Sequence, residues 1–138
     1  MSLALVSPFA DTGFVDRSAE DLVVKDLIRP LFDPHRERLV LMSFCAAMHL
    51  ISVTETLGLP CRSVIFQPVA LRQLLMAPAA QLLLVAHNHP SDEASPSRAD
   101  IELTKRLAQV SALADLRLTD HLILTRHGHF SFHAAGLL

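Results

Sequence analysis

Two histidines, His87 and His89, flank a single asparagine at the end of an apolar run, and Asp100 follows with ten residues between it and the second histidine. In extended backbone, residues two apart project to the same face. Both imidazoles can therefore address one metal ion. Two histidines and one carboxylate form an accepted ligand set for catalytic zinc, with a fourth position left for water. Zinc lowers the pKa of such a water to about 7, which makes hydroxide available near neutral pH. The chemistry also needs a base. Spacing does not single one out among the carboxylates; Glu37, just ahead of a predicted strand, is one candidate. Ser97 and Asp100 form an S-x-x-D pattern that is also a helix cap. The two readings are compatible, because a cap can aim the same carboxylate at a metal.

The elements that must position these groups follow from periodicity. Residues 82–86 are continuously apolar, as in a strand buried on both faces. Pro90 ends that strand, and residues 87–97 form a polar loop. Ser97 opens a long amphipathic helix with Ile101, Leu103, Leu107, Val110 and Leu113 on or near its buried side. Residues 38–44 and 49–54 read as two strands, residues 56–62 as a turn and 63–66 as a short strand. Pro68 suits the first turn of a helix running to about Met76. Two last strands, about 117–125 and 129–133, are joined at Arg126-His127-Gly128. At the N-terminus, residues 1–16 read as irregular. Ser18 with Asp21 then caps a helix bearing Leu22, Val23, Leu27, Ile28 and Leu31, which ends at Pro30 and Asp33-Pro34. Helices and strands interleave, so a mixed α/β fold around a central sheet is expected. Strand order does not follow from this pattern.

The segment His87-Asn88-His89-Pro90, followed by Ser97-x-x-Asp100, resembles the JAMM motif of JAB/MPN metallohydrolases: a distant Glu, then H-x-H-P, then S-x-x-D. The stretches RSAEDLVVKDLIRPLF, HRERLVLMSF, LTDHLIL and HAAGLL look like the RadC branch, so the resemblance covers residues 17–138. It implies a JAB/MPN, cytidine deaminase-like α/β/α architecture, with a mixed sheet flanked by helices. It also implies that His87, His89 and Asp100 bind zinc, and that Glu37 of HRERLV takes a proton from the attacking water and passes it to the leaving group. Ser97 would help to stabilise the tetrahedral oxyanion, and Pro90 would shape the loop. Two positions depart from the family. Asp92 stands where RadC-like loops usually carry glycine, and Cys45 where an aspartate is frequent. Aspartate tolerates positive φ better than most residues, so the turn is expected to survive. Asp92 and Glu93 add negative charge near the metal and bear on substrate preference.

The remaining candidates have ordinary readings. Asp120-His121 is either a pair that orients a metal ligand or a hydrogen-bonded structural pair. His127, His129 and His133 read as turn and strand-face residues, His35 and His49 as surface, and Cys45 and Cys61 as small core or half-buried residues.

Bulk composition narrows the classes. The 138 residues fit one domain, and 51% hydrophobic against 19% charged residues is a globular balance. A net charge of −2 with no basic stripe gives no support for nucleic-acid binding by bulk electrostatics. No apolar run approaches a bilayer span. MSLALVSPFA lacks a basic region and reads as an ordinary first segment rather than a leader. Two cysteines without a CxxC pair suggest a reducing cytoplasm. They also exclude the zinc deaminase pattern, which requires P-C-x-x-C.

The leading expectation is a zinc-dependent hydrolase of amide or peptide bonds acting on a peptide or protein. Two alternatives are a non-catalytic MPN scaffold, which usually lacks some ligands, and a DNA repair-associated factor of the RadC type. Many full-length RadC proteins carry an N-terminal helix-hairpin-helix region for which this chain has no room. That removes one reason to expect DNA contact.

Overall fold

Two neighbouring strands that are apolar at nearly every position lie inside the sheet, and the other strands flank them. A computed structural model describes residues 13–56, 67–75 and 78–138. Strand β2 (Leu39–Phe44) is buried throughout, and β4 (Leu82–Asn88) is buried from Leu83 onward. The strands β1 (Phe14–Asp16), β3 (Leu50–Thr56), β5 (Arg117–Leu124) and β6 (Gly128–Ser131) complete a six-stranded sheet in the order β1-β6-β5-β4-β2-β3. The β4–β5 pair is parallel and the other neighbours are antiparallel. A parallel pair needs a crossover, here helix α2 (Arg98–Leu113). Helix α1 (Pro68–Leu75) lies on the same side.

The sheet has a core on each face, as the α/β/α layering requires. On one face Leu39, Leu41, Leu83 and Val85 pack against Leu71 and Leu75 of α1 and Leu107 and Val110 of α2. On the other, Val40, Met42, Leu84, Ala86, Leu122 and Leu124 pack against Val24 and Ile28. The buried track of α2 continues to Ala114, so Leu113, expected near that side, is 75% exposed. The strand expected at 63–66, the turn at 57–62 and Cys61 lie outside the described residues.

The N-terminal region differs most from expectation. Residues 14–16, read as irregular, form β1 and pair with β6, Asp16 opposite Gly128. That approach requires glycine: a Cβ at Gly128 would lie 2.2 Å from the carbonyl oxygen of Val15. Asp16 then captures Ser18, taking both its amide (3.0 Å) and its hydroxyl (2.7 Å). Asp21 rather than Ser18 serves the next helical segment, accepting the Val24 amide at 3.0 Å. This segment is not a regular α-helix. It runs as π-helical turns over Val23–Ile28 and 3-10 turns over Arg29–Leu31. Pro30 lacks the amide that would sustain an α-helical ladder.

A buried cluster of Glu20, Arg29 and His129 ties this segment to β6 and the turn that precedes it. Glu20 Oε1 receives Arg29 Nε at 2.5 Å, and its Oε2 receives Arg29 Nη2 at 2.6 Å and lies 2.6 Å from His129 Nδ1. Arg29 also donates to the carbonyls of Thr125 (2.8 Å) and Gly128 (3.1 Å). Burial pushes the Glu20 carboxyl up, but the bonds from Arg29 and His129 outweigh it and the net shift is downward. His129 is on a strand face, as expected, yet it is buried and paired. His35 and His49 are exposed, and Cys45 is half-buried. Among the described residues no helix is long and apolar enough to cross a membrane.

Candidate metal centre

The sheet register assembles the site. Leu39 pairs with His87 across β2 and β4. Continuing that antiparallel register places Glu37 opposite His89, on the side where Leu39 and Val85 meet the helices. Asp100 comes from the first turn of α2. There Ser97 makes a full capping box: its Oγ accepts the Asp100 amide at 3.0 Å, and its own amide donates to Asp100 Oδ2 at 2.8 Å. The S-x-x-D pattern is thus a cap in fact, and the cap aims the carboxylate at the histidines. Asp100 Oδ1 lies 3.4 Å from His87 Nε2 and Oδ2 lies 3.3 Å from His89 Nε2. Ligand atoms of Glu37, His87 and His89 all lie within 4.8 Å of one another and could hold a metal ion. His87 is buried, His89 and Asp100 are half-buried, and Glu37 and Ser97 are exposed. All five residues singled out in the sequence therefore come together at one end of β4.

Hydrogen bonds fix which ring nitrogens face inward. Thr104 Oγ1 gives its one hydrogen to the Asp100 carbonyl at 2.8 Å. His121 Nδ1, 2.6 Å from the same Oγ1, must then be the donor. That leaves a lone pair on His121 Nε2, which accepts from His87 Nδ1 at 2.7 Å. Neutral His87 consequently carries no hydrogen on Nε2. His89 Nδ1 lies 2.7 Å from the Glu93 carbonyl, which can only accept, so neutral His89 also turns a lone pair inward. The two Nε2 atoms are 2.9 Å apart. Lone pairs at that distance repel unless a proton or a cation lies between them. The donor set therefore fits a metal ion.

The two readings of Asp120-His121 divide between its members. His121 orients His87, while Asp120 binds Ser131 Oγ (2.6 Å) and the amides of His121 (2.7 Å) and His133 (3.0 Å) as a structural tie. Phe132 stacks on the His121 ring with centroids 4.6 Å apart. Thr104 went unnoticed in the sequence; its position, one helical turn after Asp100 on the buried side, was the available cue.

A family model for the RadC-like JAB domain matches residues 17–137. The chain belongs to the RadC-like JAB domain family. It is 34% identical over 137 residues to a UPF0758 protein of Leptothrix cholodnii, an alignment covering 98% of this chain and 60% of the relative. It is 51% identical over 59 residues to the UPF0758 protein YkfG of Escherichia coli K12, covering 43% of this chain and 37% of that protein. A Thermotoga maritima UPF0758 protein is 39% identical over 85 residues, covering 62% of this chain and 38% of the relative. The matched region thus spans less than two thirds of these relatives.

In this RadC-like JAB domain the Asp92 departure has a structural answer. Its φ is 64°, in the left-handed region that favours glycine. Its carboxylate accepts Arg126 Nε at 2.7 Å, Arg126 Nη2 and the Arg126 amide at 3.2 Å. These bonds hold its pKa below the usual carboxylate range and tie the loop after His89 to the β5–β6 turn.

The electrostatics of the metal-free domain yield a pH prediction. The hydrogen bond with Asp100 raises the His89 pKa above 6.5. Burial pushes the Asp100 carboxyl up, but hydrogen bonding to His87 and His89 prevails and holds it far below its usual range. Burial, and then the neighbouring His87, pushes His121 down to about 3. A raised folded pKa means that His89 contributes stability below 6.5 that is lost as pH rises through its folded value. A lowered one means that His121 contributes stability above 6.5 that is lost as pH falls from 6.5 towards 3. Metal-free protein is expected to be most stable near pH 6.5, with urea midpoints falling on both sides. Midpoints that climb steadily from there into the alkaline range would contradict the assignment.

Proposed function

We propose that this domain is a zinc-dependent hydrolase of amide or peptide bonds acting on a peptide or protein substrate. The observation that carries the reading is the convergence of two inward Nε2 lone pairs, from His87 and His89, with the Asp100 carboxylate within 3.4 Å of both and Glu37 within 4.8 Å of the histidines. His87, His89 and Asp100 would hold the ion. When bound, zinc supplies Lewis acidity and brings water close to ionisation at neutral pH, its pKa lowered to about 7. The Glu37 carboxylate accepts a proton from the attacking water and delivers it to the leaving nitrogen. Ser97 Oγ accepts the Asp100 amide, a bond that does not use its hydroxyl hydrogen, which can be donated to the developing oxyanion. A cleft of about 160 Å³ opens beside His89 between Phe32, Pro34 and Leu124, with Arg17 and Arg126 among its walls. It is large enough to take one substrate side chain.

Elemental analysis tests the metal assignment. Wild type is expected to carry about one zinc per chain, and a His87→Ala/His89→Ala variant none. A folded wild type that refuses added zinc would remove the basis for the hydrolase reading.

A further inference from the structure

We infer that Asn88, between the two histidines, is the positioning residue for Glu37; this rests on the reading of Glu37 as the base. Alternation along β4 turns His87 towards α2 and Asn88 towards the opposite face of the sheet. Asn88 is 4% exposed. Its Nδ2 donates to the carbonyls of Asp33 at 3.0 Å and Arg36 at 2.9 Å, and its Oδ1 accepts the Arg38 amide at 2.8 Å. All three bonds grip the backbone of the segment that carries Glu37, and two of them fall on its immediate neighbours.

Among the described residues no other side chain holds that segment to β4 as firmly. The main-chain bond that would extend the ladder, from the Asn88 amide to the Arg38 carbonyl, is 3.4 Å long. The Glu37 side chain is exposed, so packing does not locate it. Arg38 Nη1 anchors the segment to the Leu31 carbonyl at 2.8 Å, away from the histidines. The side chain of Asn88 therefore replaces a weak ladder rung and sets where the Glu37 carboxylate stands relative to His89. Two donors and one acceptor are needed at this place. Aspartate lacks the donors and would face two carbonyls with a negative charge, leucine offers nothing, and glutamine is one methylene too long.

The test uses the full chain loaded with Co2+ as a spectroscopic probe, comparing wild type, Asn88→Ala, Asn88→Ser and Glu37→Gln. Glu37→Gln is expected to shift the pH dependence of the Co2+ absorption bands without loss of metal. Asn88→Ala should reproduce that shift at full Co2+ content, and Asn88→Ser, which keeps one donor and one acceptor, should fall between. Exchange of the Arg38 amide hydrogen should accelerate about fivefold or more in Asn88→Ala, as expected for one lost hydrogen bond, with α2 unchanged. If Asn88→Ala does not fold, Asn88→Ser carries the same comparison. A wild-type Co2+ titration in the folded Asn88 variants, with Glu37→Gln shifted, overturns the positioning role alone. An unshifted Glu37→Gln overturns the base reading and this inference with it.

Discussion

Glu37→Gln is expected to keep its zinc and lose peptide hydrolysis by about 10²–10⁴-fold, the range for removal of a general acid–base group. The substitution preserves size and hydrogen-bonding reach, so the loop held at Asp33, Arg36 and Arg38 should not move. What disappears is the ability to take a proton. Zinc retention is part of the expectation, because in the proposed site the two histidines and Asp100 would supply three ligands without Glu37. Glu37 lies near enough to His87 and His89 to be a ligand itself. Metal content therefore decides between the roles: loss of zinc in Glu37→Gln would make it a ligand. Turnover is to be measured on a peptide cleaved by the zinc-loaded wild type. Undiminished turnover would show that the proton goes elsewhere.

The second large effect concerns the fold. Arg29→Leu should destabilise the protein by about 3–5 kcal/mol, as expected when one partner of a buried ion pair is removed. The Glu20 side chain is fully buried and that of Arg29 is 13% exposed. Without Arg29, Glu20 keeps His129 and the more distant Arg17 Nε at 3.7 Å, and the carbonyls of Thr125 and Gly128 lose a donor. A domain of this size should then melt roughly 10 °C lower or more. The Glu20→Gln/Arg29→Met double variant removes both charges together. It should cost less than the sum of the single substitutions. A loss under about 1 kcal/mol in zinc-loaded Arg29→Leu would place the triad among weak surface pairs.

These two residues illustrate what could and could not be read from the chain. The local part of the site was legible, because His87, His89, Ser97 and Asp100 fall on one strand end, one loop and one helix cap. Each carries its own spacing rule. Glu37 was not: it reaches His89 through the register of β2 against β4, and only the family resemblance singled it out. His121 was legible only as an alternative, since a strand histidine facing a ligand has the same local pattern as one facing the core. The Glu20–Arg29–His129 triad joins residues up to 109 apart in sequence and left no local trace. Strand β1 was missed for the same reason, being three residues long and paired wholly with β6. The capping signal at Ser18 was real in type but claimed by Asp16, an outcome set by the tertiary pairing of β1.

The bond between Asp92 and Arg126 changes what governs the loop after His89. A glycine would adopt the same left-handed backbone without help and would be indifferent to the ionic medium. Aspartate holds it with the aid of a partner whose side chain is 67% exposed. Added salt screens an exposed pair of this kind. Order in the wall of the His89 cleft is therefore coupled to ionic strength in this chain, a dependence that a glycine at position 92 would not create.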